Sequence, residues 1–235
     1  TSQPSTGEVR HALESLRAGG AEQIVAITLS SQLSGTCDAV RAASEAFRAE
    51  TGIPVLVVDT RSIGAATGFA VLAAWRAVEA GQSAAEVAAT ASRVALSSRA
   101  WVTVSDLRHL QRGGRLKASH ALIGTALGVR PLLRIDDGAL VATESVRGAA
   151  RARRRLVELV VEGALEQVRS PGGQLDVAVH HTGDDLGAAV VADELRGAAA
   201  EANLPVRSFL QGRISPVLAV HGGPGALSVV TSVSG

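Results

Sequence analysis

The 235 residues contain no methionine and no tyrosine, and only one cysteine, Cys37. A single cysteine cannot close an internal disulfide, so the pattern fits a reducing compartment and the cytoplasm is the expected location. Aromatic residues are reduced to Phe47, Phe69, Trp75, Trp101 and Phe209. So few rings leave little on which successive bases of a single strand could stack. Neither sign of charge dominates, with 23 Lys and Arg against 22 Asp and Glu, which argues against a general nucleic-acid footprint. No run reaches the roughly 18 to 20 uninterrupted apolar residues of a membrane span, and no basic segment leads into an apolar one at the N-terminus. A P-loop, a G-x-G-x-x-G after a strand and a G-x-S-x-G elbow are all missing.

What the chain does have is 46% apolar residues, mostly Ala, Val and Leu, enough for two modest α/β domains with a core each. Thr1-Ser2-Gln3-Pro4-Ser5 runs straight into a helix over about 6–17, with Ser5 and Glu8 at capping-box spacing. With no strand before that helix, an upstream segment is expected. Buried strands are expected at 23–29 and 54–59, joined through a helix at about 35–50, which makes a βαβ unit with a parallel sheet. Further helices follow at about 65–80 and 83–97.

The pattern changes near Arg99, and the domain boundary is placed there, giving a parallel-sheet, Rossmann-like domain at 1–98 and a second α/β domain with a mixed sheet at 99–235. In the second, a strand at 101–105 precedes a basic, glycine-bearing loop at 111–116 and a helix near 118–127. Strands at 131–135 and 139–144 flank Asp136-Asp137-Gly138, a hairpin turn. A helix at 148–168, a strand at 175–180 and a helix at 185–200 follow, then strands at 205–210, 216–220 and 226–232.

Ser34-Gly35-Thr36, in the first βα turn, places two hydroxyls and a glycine where a helix begins. Helix-terminal N–H groups and the helix dipole favour an anion there, and Gly35 permits close approach. The same residues would serve equally as a plain helix cap. His221-Gly222-Gly223-Pro224-Gly225 sets an imidazole at the end of an apolar strand, in a loop that exposes backbone. His180 and His181 are adjacent on a strand and point to opposite faces, so they make a poor chelating pair and no metal site is expected. Cys37 reads as a small packing residue.

Thr1-Ser2-Gln3-Pro4, Ser31-x-Leu33-Ser34-Gly35-Thr36, Asp106-Leu107 with Arg112-Gly113-Gly114-Arg115, and His221-x-Gly223-Pro224-Gly225 occur in that order. The set resembles the DegV family of bacterial fatty-acid-binding proteins over essentially the whole chain, without that family's opening strand and Asp-Ser motif. The resemblance implies an EDD-type two-domain fold with no catalytic residue of its own and no cofactor beyond the bound lipid. It implies a long-chain fatty acid in an apolar tunnel, its carboxylate held by Thr1, Ser34 with Gly35 and Thr36, and His221. It further implies a separate ATP-dependent fatty acid kinase subunit that makes the acyl phosphate for phospholipid metabolism, with Arg115 and Arg147 as contacts.

The stretch 111–155 offers Arg112, Arg115, Lys117, Arg130, Arg134, Arg147, Arg151, Arg153, Arg154 and Arg155 against Asp136, Asp137 and Glu144. Such a field could steer an acidic partner. Two alternatives stand beside lipid carriage. One is a serine-based acyl hydrolase using Ser34 and His221, and the other a regulator binding a partner through the basic stretch.

Overall fold

The computed structural model describes residues 3–116, 128–169 and 173–234. Thr1, Lys117 and the helix expected at 118–127 lie outside the described residues. The chain divides into two compact units, Thr1–Ile63 with Thr67–Leu96, and Gly64–Ala66 with Ser97–Gly235.

In the first unit, α1 (Thr6–Ala18) is followed by β1 (Ile24–Thr28), α2 (Thr36–Thr51), β2 (Val55–Asp59), α3 (Ala65–Glu79) and α4 (Ala84–Ser97). The Ser5 hydroxyl accepts from the Glu8 N–H while the Glu8 carboxylate accepts from the Ser5 N–H, so the capping box fixes the start of α1. β1 and β2 are parallel, from Ile24 opposite Val55 to Thr28 opposite Asp59. Parallel pairing sends both strands toward the same edge, and the turns after β1 and β2 meet there. Leu13, Ile24 and the fully buried Phe47 pack below the sheet. Val58, Ala70, Ala74, Val87 and Ala91 form a second cluster, where alanines let α3 and α4 approach closely.

The second unit contains β3 (Arg99–Thr103), α5 (Arg108–Arg112), β4 (Val129–Asp136), β5 (Ala139–Arg147), α6 (Ala149–Gln167), β6 (Gln174–His181), α7 (Asp185–Glu201), β7 (Val206–Arg213), α8 (Pro216–Gly222) and β8 (Leu227–Ser234). Its sheet runs β5-β4-β3-β8-β6-β7. Among the described strands of this sheet β6 and β7 pair in parallel and the other neighbours antiparallel, so the sheet is mixed. Asp137 and Gly138 both take positive φ, 48° and 86°, the requirement of the tight turn that matches strand twist. Leu175, Val177 and Val179 of β6 join Leu227 and Val229 of β8 against Leu156, Val160, Val191 and Leu195 of α6 and α7. Trp101 lies in the same core under Gly163, where a Cβ would come within 2.4 Å of the indole.

One expected strand is a helix. Residues 216–220 form most of α8, with Ser215 extended at φ −58°, ψ 150° and Pro216 in the first turn. Proline at that position loses no hydrogen bond and has its φ preset for a helix. Five apolar residues do not by themselves separate strand from helix, and Val217 and Val220 are each 59% exposed, unlike a core strand. His221 therefore sits in the last turn of a short helix instead of leaving a strand. The expected loop at 111–116 likewise begins inside α5.

Candidate functional site

At the sheet edge of the first unit, β1 ends at Thr28 and the chain turns through Ser30 into α2. Ser30 is fully buried; its N–H donates to the Ser62 carbonyl at 2.8 Å, and its own carbonyl accepts from Leu33 and Ser34. Asp59, closing β2, accepts from the backbone N–H of Ser31 at 3.3 Å and of Arg61 at 2.9 Å. The Thr60 hydroxyl donates to the Thr28 carbonyl at 2.9 Å, which ties the two strand ends together. The turn is thus fixed from both strands before it reaches the helix.

Ser34 Oγ and Thr36 Oγ lie 2.8 Å apart, and Ser34 Oγ also accepts from the Thr36 N–H at 3.3 Å. Gly35 occupies the N-cap position of α2 without a side-chain cap. Both hydroxyls therefore stand at the positive end of a four-turn helix. A Cβ on Gly35 would fall within 1.9 Å of Gln3 Oε1, so the Gln3 amide lies directly on the glycine. Gln3 is a residue that spacing arguments overlook; its signal was its place in the Ser-Gln-Pro opening. Cys37 is completely buried on the next helical position and packs as a small apolar residue.

In the second unit, Thr182 grips the loop after α8 at three points. Its hydroxyl donates to the Gly223 carbonyl at 2.6 Å and accepts from the Ala226 N–H at 2.9 Å, while its carbonyl accepts from Gly225 at 3.0 Å. From the other side Ser105 donates to the Pro224 carbonyl at 2.8 Å, and Arg130 donates to Ser105 at 3.0 Å. Gly225 has φ 72° and its missing Cβ leaves room for Ser105 Oγ, at 3.0 Å from that position. His221 is half-buried beside this loop. Burial, and then the positive charge of Arg115, hold its imidazole below the ordinary 6.5. At neutral pH it is a neutral ring with one N–H to donate.

The expected site residues thus fall into two groups, Ser34, Gly35 and Thr36 on the first unit, and His221 with Arg115 on the second. Arg115 and Arg147 do not adjoin. Leu116 bridges Leu140 near one end of β5, whereas Arg147 closes the other end, about 23 Å of strand away. Much of the basic run is neutralised locally: Arg155 binds Glu144, Glu158 and Glu162, Arg153 lies 3.8 Å from Asp184, and Arg134 lies 3.1 Å from Asp136. Arg112, Arg115, Arg147, Arg151 and Arg154 are exposed.

On the face of the sheet away from α6 and α7, the paired residues Ala178, Val230 and Ala100 form a row of small side chains, all buried. On the helical face a cavity of about 360 Å³ lies between α6, α7 and β7, lined by Val160, Leu175, Leu195 and Phe209 among others. Leu175 stands six residues along β6 from His181, so this cavity is remote from the end of the sheet where β8 begins. Among the described residues no group of His, Cys, Asp and Glu could hold a metal ion, and no helix is long and apolar enough to cross a membrane.

A small parallel unit and a six-stranded mixed unit, one carrying a hydroxyl turn at a helix N-terminus and the other a glycine-cradled imidazole, define the α/β class seen in solved DegV structures. A DegV family protein from Corynebacterium glutamicum matches with a TM-score of 0.85 at 31% identity, over 99% of this chain and 83% of that one. A DegV family protein from Thermus thermophilus, described for its fatty acid binding, matches with a TM-score of 0.84 at 27% identity, over 99% of this chain and 78% of its own. In sequence, a DegV domain-containing protein of Streptomyces coelicolor is 37% identical over 233 residues, covering 99% of this chain and 78% of the relative. The family model described as "uncharacterised protein, DegV family" matches residues 1–233. The chain belongs to the DegV family.

Proposed function

We propose that the protein binds a long-chain fatty acid and presents its carboxylate to a separate ATP-dependent kinase, which forms the acyl phosphate. The observation that carries this reading is the Ser34 and Thr36 hydroxyl pair, 2.8 Å apart at the N-terminus of α2. Hydroxyls so placed donate to an anion while the helix dipole favours its charge. Thr1 and the neutral N–H of His221 complete the carboxylate clamp, with residues 1–98 and 99–235 as the two ligand-holding domains. The fatty acid binding of the Thermus relative supports the ligand class.

The row Ala178, Val230 and Ala100 supports an apolar floor for the acyl chain, since small side chains leave a smooth surface. At about 0.8 kcal/mol per buried CH₂, a long chain contributes on the order of 10 kcal/mol before ordering costs. The chain therefore sets affinity and the clamp sets orientation. The carrier works in the cytoplasm, needs no metal or nucleotide of its own, and supplies phospholipid synthesis through its kinase partner. Ser34 acts as a donor. In the first unit its hydroxyl pairs with the Thr36 hydroxyl and accepts from the Thr36 N–H.

Native mass spectrometry of the purified protein should show one copurifying long-chain acid, and Ser34→Ala should weaken its binding roughly 10- to 100-fold, the range for losing a hydrogen bond to a charged group. A protein that neither carries nor takes up a fatty acid, with Ser34→Ala indistinguishable from wild type, would end this reading. Labelling of Ser34 by a serine-directed activity probe would instead favour the hydrolase.

A further inference from the structure

Two glycines in the second unit leave room for side chains of the opposing segment, and the arrangement is reciprocal. A Cβ on Gly113, at the C-cap of α5, would lie 2.8 Å from His221 Nδ1. A Cβ on Gly223, just after α8, would lie 2.6 Å from His109 Cδ2 and 3.0 Å from its Cγ. Each helix therefore lays an imidazole on the other's glycine. These separations are below what any side chain tolerates, so neither glycine can be replaced without moving a ring. Gly223 also needs its positive φ of 73°, but Gly113, at φ −73°, does not. For Gly113 the constraint is the His221 ring itself.

His109 is exposed, and its ring covers the peptide that follows His221 by two residues. Thr182 and Ser105 hold that loop from its carbonyl side. The ring of His109 lies against Gly223 of the same loop. We infer that His109 is a positioning residue for His221, and that the α5 segment carrying Arg115 and the α8 segment carrying His221 move as one piece. The inference rests on the carboxylate-holding role proposed above for His221. It adds that a partner pressing on the Arg112–Arg115 loop acts on the ligand clamp through this reciprocal contact.

The test uses the full chain with a fluorescent long-chain fatty acid as probe, and follows the His221 titration by NMR. His109→Ala should weaken probe binding about three- to tenfold and move the His221 titration upward toward the ordinary imidazole value, with the thermal midpoint unchanged. His109→Phe, which keeps a flat ring on Gly223, should restore both. Gly113→Ala, whose backbone tolerates alanine, should weaken binding with His109 still in place. A His221 titration or a probe affinity that stays at wild type in His109→Ala overturns the inference. Wild-type affinity in His221→Ala, a variant that keeps His109, would count against the carboxylate role alone, so the two failures are separable.

Discussion

His180 and His221 both titrate below 6.5 in the fold, His180 because burial and then the neighbouring His181 disfavour its charge, His221 because of burial and then Arg115. In the unfolded chain both would take up protons near the ordinary value. The unfolded state therefore binds more protons as pH falls below about 6.5, and stability is lost over that range down through the folded values. Thermal midpoints should be flat above about pH 7 and fall on acidification; His180→Gln should reduce that slope, and an unchanged slope would show that His180 is not desolvated. The motif containing His221 was legible as residues, because a histidine ahead of Gly-Gly-Pro-Gly is conspicuous. That Gly113 exists to accommodate the His221 ring was not, since the two lie 108 positions apart in the sequence and only folding brings them together. Gln3 on Gly35 is the same kind of contact.

Among the elements, β7 is an edge strand whose own burial is slight, with Val206 and Leu210 exposed. It is held through side chains. Asp176, buried on β6, accepts from Arg207 Nε at 3.1 Å and from the hydroxyl of Ser208, both on β7. Asp176→Asn removes the charge that pairs with Arg207 but keeps the shape. Because Arg207 can rehydrate, the expected loss is about 1 to 3 kcal/mol in urea unfolding, with hydrogen exchange of β7 amides accelerated more than that of β8. Equal acceleration across the sheet would mean that the pair supports the whole unit and not the edge. Elements with long periodic patterns or strong turn chemistry were legible: α6, α7, the parallel β1 and β2, and the hairpin at Asp137-Gly138 all stand where pattern placed them. α8 was not, because five apolar residues suit either state and the decision fell to Ser215 and Pro216. β3 begins at Arg99, two residues earlier than its aromatic residue suggested.

For the molecule as a whole, near-neutral net charge hides a local asymmetry that the structure redistributes. Arg134, Arg153 and Arg155 are committed to carboxylates of their own unit, whereas Arg115 and Arg147 are exposed and lie toward opposite ends of β5, about 23 Å of strand apart. A partner reading both must span that distance. On the proposed function, Arg147→Glu should lower kinase-coupled acyl phosphate formation about three- to tenfold, more at low salt than at high, and leave fatty-acid affinity untouched. Arg115→Glu should lower coupling similarly, but it also removes the positive field that depresses the His221 pKa, so a shifted His221 titration should accompany it. Sites this far apart couple weakly, so the double variant should show nearly the product of the two single effects. Loss of fatty-acid binding in Arg147→Glu would place that residue in the ligand site or the core and take it out of the docking surface.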